Sequence, residues 1–263
     1  MATVNVANWS EFVAAVAVSG NTVSCPTKAT WDMNELYPEG LSTNITINCA
    51  QIEGNGTEIK NIHLFGKFIV NNDLAINSLH ITNVVSENEH FIDKGSNART
   101  ISMHNCILTG ISGLQNRSVI EGPLSITSST INFDMTASGA GSMYFVHYEF
   151  TARYSRITLH YPLSSSALEL SAPLGGISYC MVTVYAPAVT AIISDWFNGC
   201  VVLGNYGAST DVHFSYTPHF VSVYDVAAFD EDFVPESEYF IGVTHDQLYD
   251  AEYLASLGFP IGA

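Results

Sequence analysis

Between Leu124 and Phe133 the chain reads LSITSSTINF: apolar positions alternate with polar ones until Ser128 and Ser129 interrupt, and Ile131 and Phe133 then resume the beat. Successive side chains of a strand point to opposite faces, so a single strand would keep its alternation. The interruption predicts two short strands joined by a bend. The pattern recurs. With Ile131 as reference, the equivalent positions are Ile52, Ile81, Leu108, Ile131, Ile157, Val182 and Val202, separated by 29, 27, 23, 26, 25 and 20 residues. Five residues before each stand Ile47, Ile76, Met103, Ile126, Ala152, Ile177 and Phe197, all apolar.

Four residues before the reference lie Asn48, Asn77, His104, Thr127, Arg153, Ser178 and Asn198, none of them apolar. Asn tolerates the left-handed backbone of a sharp bend, so the bend is expected at this position. Two residues before the reference come Ala50, Leu79, Cys106, Ser129, Ser155, Cys180 and Cys200, mostly small.

Short strands recurring at this period, bent at a set place and without amphipathic helices between them, describe coils stacked on one another. Each coil buries its inner face against its own turn and its neighbours. The chain resembles the right-handed parallel β-helix proteins of pectate-lyase-like architecture over roughly residues 40 to 225. The expected fold is all-β, a solenoid with an N-terminal helix and strand as one cap and a short helical cap at the other end. In the first cap, about residues 1 to 40, NWSEFVAAVAVSGNTVSC offers Ser10 as helix cap, Phe12, Val13 and Val16 as apolar face, Gly20 as stop and Thr22 to Cys25 as first strand. Residues 1 to 225 then form the solenoid with this cap, and residues 226 to 263 an acidic cap or docking segment. There THDQLYDAEYLASLGFP predicts one helix, capped by Thr244, with Leu248, Tyr249, Tyr253, Leu254 and Leu257 apolar, ended by Gly258 and Pro260.

Composition narrows the class. Hydrophobic residues make up 47% of the chain and charged ones 13%, which argues for an extensive core and against disorder. The formal net charge is -17, and no Lys or Arg follows Arg156 although twelve Asp and Glu do. A nucleic-acid backbone selects the opposite sign, so nucleic acid is excluded as a partner. No stretch approaches the roughly 20 apolar residues of a membrane span. MATVNVANWSEF lacks the basic start and apolar core of a secretion signal, so the expectation is a soluble protein made in a cytosol. Five cysteines without CxxC spacing indicate neither a disulfide framework nor a zinc site. Cys180 and Cys200 share one frame position and should be neighbours on successive coils.

The enzymes of this architecture set a test. Members that hydrolyse galacturonan bring adjacent Asp residues and a Gly-His-Gly element, and pectate lyases bring clustered acids and a basic arginine. Here there is no Asp-Asp pair, no Gly-His-Gly, and only four arginines, at 99, 117, 153 and 156. The nearest substitutes are Glu87, Glu89 and His90 in SENEHFIDKG, and His147 with Glu149 in YFVHYEF. Arg153 and Arg156 can bind an acidic sugar. A carbohydrate-active site would therefore sit on the exposed sheet face around His147, Glu149, Arg153 and Arg156. Tyr144, Phe145, Tyr148, Phe150, Tyr154 and Tyr161 crowd the same stretch, as core filling or as a stacking surface. No cofactor or metal is expected.

In its cap style (NWSEFVAAV) and closing helix (DQLYDAEYLASLGFP) the chain is similar to the small β-helix proteins of tailed-bacteriophage virions, which decorate heads or form tail-associated spikes. That resemblance implies a non-enzymatic structural or binding protein, made in a host cytoplasm and resident in the virion. It also implies a homo-oligomer, often a homotrimer, that contacts other virion proteins or surface glycans. The alternative is a carbohydrate-active β-helix, a depolymerase, lyase or glycan-binding module, cytoplasmic or exported without a recognisable signal peptide.

Overall fold

In a computed structural model, which describes residues 2–88, 90–95, 100–112, 118–135, 143–160, 168–171, 176–186, 191–206, 210–214, 222–228, 238 and 240–257, the stretch LSITSSTINF forms two strands, Leu124–Thr127 and Thr130–Met135. Leu124, Ile126, Ile131 and Phe133 point inward and are buried. Ser128 makes the bend with φ 50°. The same conformation recurs once per coil at Lys28, Gly56, Ser78, Asn105, Ser128, Tyr154, Tyr179 and Gly199, with φ between 50° and 76°. The bend therefore lies one residue later than Asn77 and its equivalents. Asn77 is still the last residue of a strand and donates from its side-chain amide to Glu53 Oε1 at 2.8 Å.

From Asn105 onward the residue after each bend is Cys or Ser, small because it is buried in the corner and polar because the corner needs hydrogen bonds. Ser129 Oγ donates to Thr127 O at 2.9 Å and accepts the Cys106 N–H of the preceding coil at 3.0 Å. Ser155 repeats this, donating to Arg153 O and accepting the Ser129 N–H. Cys180 Sγ accepts the Ser155 N–H at 3.4 Å, and Ser222 Oγ accepts the Cys200 N–H at 3.1 Å. A buried donor left unpaired costs about 1–3 kcal/mol, so the Ser/Cys column satisfies backbone groups that two adjoining strands cannot reach.

Three parallel ladders result. The first contains Thr22–Ser24, Gln51–Glu53, Leu74–Asn77, Ile101–His104, Leu124–Thr127, Phe150–Arg153 and Gly176–Ser178. The second runs from Thr30–Asp32 through Glu58–Lys60, His80–Ser86, Ile107–Ser112, Thr130–Met135, Arg156–His160, Met181–Ala186 and Val201–Tyr206 to Ser222–Asp225 and Phe240–Val243. The third includes Ile45–Ile47, Phe68–Val70, Ile92–Lys94, Ser118–Glu121, Met143–Val146 and Leu168–Ser171. The strand Ala191–Asn198 joins two of them: Ala191 pairs with Leu168 of the third ladder, and Trp196 to Asn198 pair with Gly176–Ser178 of the first. This is a mostly β, all-parallel solenoid.

Of the fourteen frame positions, the twelve whose side chains are described are all buried; Val202 and Phe197 lie outside that set. The register corrects the first repeat, however. Ile52 pairs with Ile76 and Ile47 with Val70, so neither belongs where the spacing put it. The true partners of Ile81 and its successors are Ile59 and, before it, Trp31. The cause is a longer corner, Gly54 to Thr57, in which Asn55 and Gly56 are both left-handed (φ 54° and 76°). A fixed five-residue offset fails there. Thr57, not Ala50, is the buried corner residue, bonded through its hydroxyl to Pro26 O.

Both ends differ in detail from the expectation. A strand, Thr3–Asn5, precedes the first helix and pairs with Thr22–Ser24. Helix α1 (Trp9–Val16) is capped by Asn8, whose Oδ1 accepts the Glu11 N–H at 3.0 Å, and Ser10 lies inside the helix. Glu11 answers by accepting the Ala7 N–H at 2.8 Å, a reciprocal arrangement that favours Asn8 over Ser10. Trp9, Phe12 and Val16 plug the bottom of the core, with the Phe12 and Trp31 rings 5.5 Å apart. Helix α2 is the short segment Met33–Leu36.

The second ladder continues past residue 225 to Val243. The expected C-terminal helix is two: α3 (His245–Leu248), with Thr244 and Gln247 in a capping box, and α4 (Ala251–Ser256), capped by Asp250. Asp250 breaks the helix because its carboxylate accepts the N–H groups of Glu252 and Tyr253. Leu248 and Leu254 pack with Val201, Val223 and Val243 in a cluster separate from the main core, with Tyr253 and Leu257 beside them. Tyr249 is exposed. Val201, Val223 and Ile241 are register partners that alternate with the inward-facing Tyr224, so the helices lie on the outer face of the last strands. Gly258 and Pro260 fall outside the described residues.

Candidate functional site

Register brings together groups that are far apart in the chain. In the third ladder Asp93 pairs with Glu121, and the His147 N–H donates to Ile120 O one coil on. Outward side chains at this corner therefore stack as Asp93, Glu121 and His147. Asp93 is neutralised by Lys67 in a part-buried ion pair. Glu121, whose side chain is 18% exposed, takes histidines instead. His147 Nδ1 lies 2.9 and 3.0 Å from its two oxygens, and His90 Nε2 lies 3.9 Å away.

Ser118 completes the group. His90 Nδ1 lies 2.9 Å from Ser118 Oγ and 3.2 Å from Ser118 O. A carbonyl only accepts, so that geometry assigns the proton to Nδ1. The Ser118 hydroxyl then donates to Glu121 Oε2 at 3.1 Å. Activation of a serine nucleophile requires the opposite polarity, with the hydroxyl donating to imidazole. Ser118 is also fully buried. The set holds Glu121 in place and leaves the His147 imidazole, 47% exposed, as the group facing solvent. Beside it Lys94 lies over the Tyr148 ring.

The four residues expected around a sugar site belong to one coil but to two corners. His147 and Glu149 stand in the turn between the third and first ladders, where Glu149 is exposed and its carbonyl accepts the Leu124 N–H. Arg153 ends the strand Phe150–Arg153 and Arg156 opens Arg156–His160, on either side of the next corner; both are exposed. Among the described residues the carboxylate that His147 bonds is Glu121, from the coil before. Glu87 pairs with His63 at 3.3 Å, while His90 turns to Ser118; Glu89 lies outside the described residues.

Phe145 and Phe150 are core, part of a run of rings with Phe68, Phe91 and Phe133. Tyr148 and Tyr154 face outward, and the side chains of Tyr144 and Tyr161 are not among those described. Sequence reading missed Lys94, Ser118 and Glu121. The available signal was the 26-residue separation of Glu121 and His147, which equals one coil.

All five cysteines are buried and none is in a disulfide, and Cys180 and Cys200 occupy equivalent positions, flanked by the register pair Met181 and Val201. Burial raises the thiols of Cys25, Cys49, Cys106 and Cys180 above their ordinary range. Among the described residues no three His, Cys, Asp or Glu are grouped to hold a metal ion, and no helix is long and apolar enough to cross a membrane. The sequence matches no protein-family model and no curated protein.

Proposed function

We propose that this protein is a non-catalytic structural or binding solenoid, a rigid rod whose outer corners carry its contacts. The observation that supports this reading most directly is the wiring of Ser118. The group closest in composition to a catalytic set has its serine buried and its hydroxyl proton directed at Glu121, so its polarity serves cohesion between coils. The narrower reading is a subunit of a bacteriophage virion, a head decoration or tail-associated protein that self-associates. Its support is the style of the two ends together with the acidic surface.

A reducing-end assay on capsular and pectic polysaccharides tests the first reading: no product above buffer is expected, and turnover overturns it. Antibody labelling of purified virions, with sedimentation analysis of the free protein, tests the second. A carbohydrate-active reading has one observation in its favour, the exposed His147 imidazole bonded to Glu121, which is a potential proton-transfer pair. The same assay decides it.

A further inference from the structure

Tyr154 and Tyr179 stand at bend positions where the other described coils place Lys, Gly, Ser or Asn. Their φ values are 50° and 55°, a backbone conformation that bulky side chains rarely adopt. Such an outlier points to a role the surrounding fold sustains. The two rings stack with centroids 5.3 Å apart and planes 10° from parallel, and Tyr154 is 51% exposed. On the next coil the equivalent residue is Gly199, which brings no side chain to the stack.

Arginines flank this stack on both sides of the corner. The Arg153 guanidinium is 5.9 Å from the Tyr154 ring centroid, and Arg156 is exposed at the start of the following strand. The register partners of Arg153 are Thr127 and Ser178, and those of Arg156 are Thr130 and Met181, so none of these directly paired residues is an acid. Among the described residues neither arginine pairs with a carboxylate, whereas Lys60 and Lys67 do. In a chain of formal charge -17 this corner is a local point of positive charge.

We propose that the corner binds an acidic polysaccharide, an assignment that rests on the reading of the protein as a binding solenoid. Arg153 and Arg156 take carboxylate groups of the sugar chain, which the guanidinium fork fits. The Tyr154–Tyr179 stack takes the C–H face of a ring. The two arginines lie on either side of one corner and the two tyrosines on successive coils about 4.8 Å apart, so the groups are spread around the corner and not gathered at one point, which suits a polymer better than a single small anion.

The test is equilibrium binding of the full chain to polygalacturonate and to its methyl-esterified form, with hyaluronate, alginate and poly-glutamate as further probes. Two double variants are compared, Arg153→Gln with Arg156→Gln and Tyr154→Asn with Tyr179→Asn. Asn accepts the left-handed conformation, so the second pair retains the bend, and thermal unfolding monitors this. The expected result is salt-sensitive binding to polygalacturonate, weakened about tenfold or more by either pair, as loss of charge-assisted hydrogen bonds or of a stacked ring implies.

Equal binding of the esterified polymer, unchanged affinity in both variants, or no binding to any of the three acidic polysaccharides overturns the proposal. So does tighter binding of poly-glutamate, which assigns the corner to acidic protein segments. Release of reducing ends by the parent chain, with binding still lost in both variants, supports the site and overturns only the non-catalytic reading.

Discussion

Lys94 Nζ lies 3.3 Å from the centroid of the Tyr148 ring, and the residue between them in the stack of coils is Gly122. A Cβ on Gly122 would meet Lys94 Cβ at 3.2 Å, and its φ of +155° strains any other residue. The glycine is therefore the gap through which a lysine reaches a tyrosine two coils away. Gly122→Ala is expected to lower stability by about 1–2 kcal/mol, from backbone strain and the lost cation–π contact. Urea unfolding measures it, and an unchanged midpoint would refute the role given to the gap.

The corner column makes a graded prediction. Ser129→Ala and Ser155→Ala each leave a buried N–H without its acceptor and should cost about 1–3 kcal/mol. Ser155→Cys should cost less than Ser155→Ala, because Cys180 accepts from the same kind of N–H one coil on. Equal losses for the Ala and Cys variants, read from denaturant midpoints, would show that volume and not hydrogen bonding governs the corner.

Inward positions were legible in the sequence because alternation survives every coil: Met103, Ile126, Ala152 and Ile177 form a register-paired column wherever two residues separate the strands. The first repeat was misread because the corner from Gly54 to Thr57 is two residues longer, and spacing alone cannot locate an insertion that leaves the apolar beat intact. The bend was placed at Asn77 instead of Ser78 because Asn suits both a left-handed bend and an outward ladder of side-chain hydrogen bonds. Glu121 was invisible until register paired it with the coil of His147. Its significance is a neighbour relation that no local motif records.

Two truncations should separate the parts of the C-terminal segment. Removing residues 244–263 uncovers Val201, Val223 and Ile241 on the outer face while keeping the strand Phe240–Val243. The expected product keeps its far-ultraviolet signature but self-associates through the bared apolar row. Removing residues 226–263 also takes away the last strand and should lower the unfolding temperature further. Light scattering and circular dichroism check both, and a monodisperse short truncation would refute the covering role of α3 and α4.

Alkaline pH should weaken the fold through its thiols. Burial pushes Cys25 up to about 12 and Cys49 and Cys180 up to about 11. Unfolded thiols ionise at about 8.5, so above that pH the folded chain binds more protons than the unfolded one. The stability these thiols carry is complete below about pH 8.5 and is lost as pH rises towards 11 to 12. Cys180→Ser, which copies Ser155, should flatten the fall between pH 9 and 11 as followed by urea midpoints at about one-unit steps. An identical pH profile for the parent and this variant would refute it.

The strand Ala191–Asn198 spans two ladders without a corner between them. Elsewhere a corner acts as slack: a residue gained or lost there can be absorbed before the next strand begins, and the in-and-out phase of its neighbours is kept. Here the phases of the third and first ladders are geared together. One inserted residue would turn the inner face of one ladder outward or force a bulge, because strand faces alternate with a period of two. Length variation in such a rod is thus expected to be free at its corners and confined to steps of two at this junction, as its pairing with Thr210–Phe214 illustrates: Ile193 to Phe197 spans four residues where Val212 to Phe214 spans two, and the phase is kept.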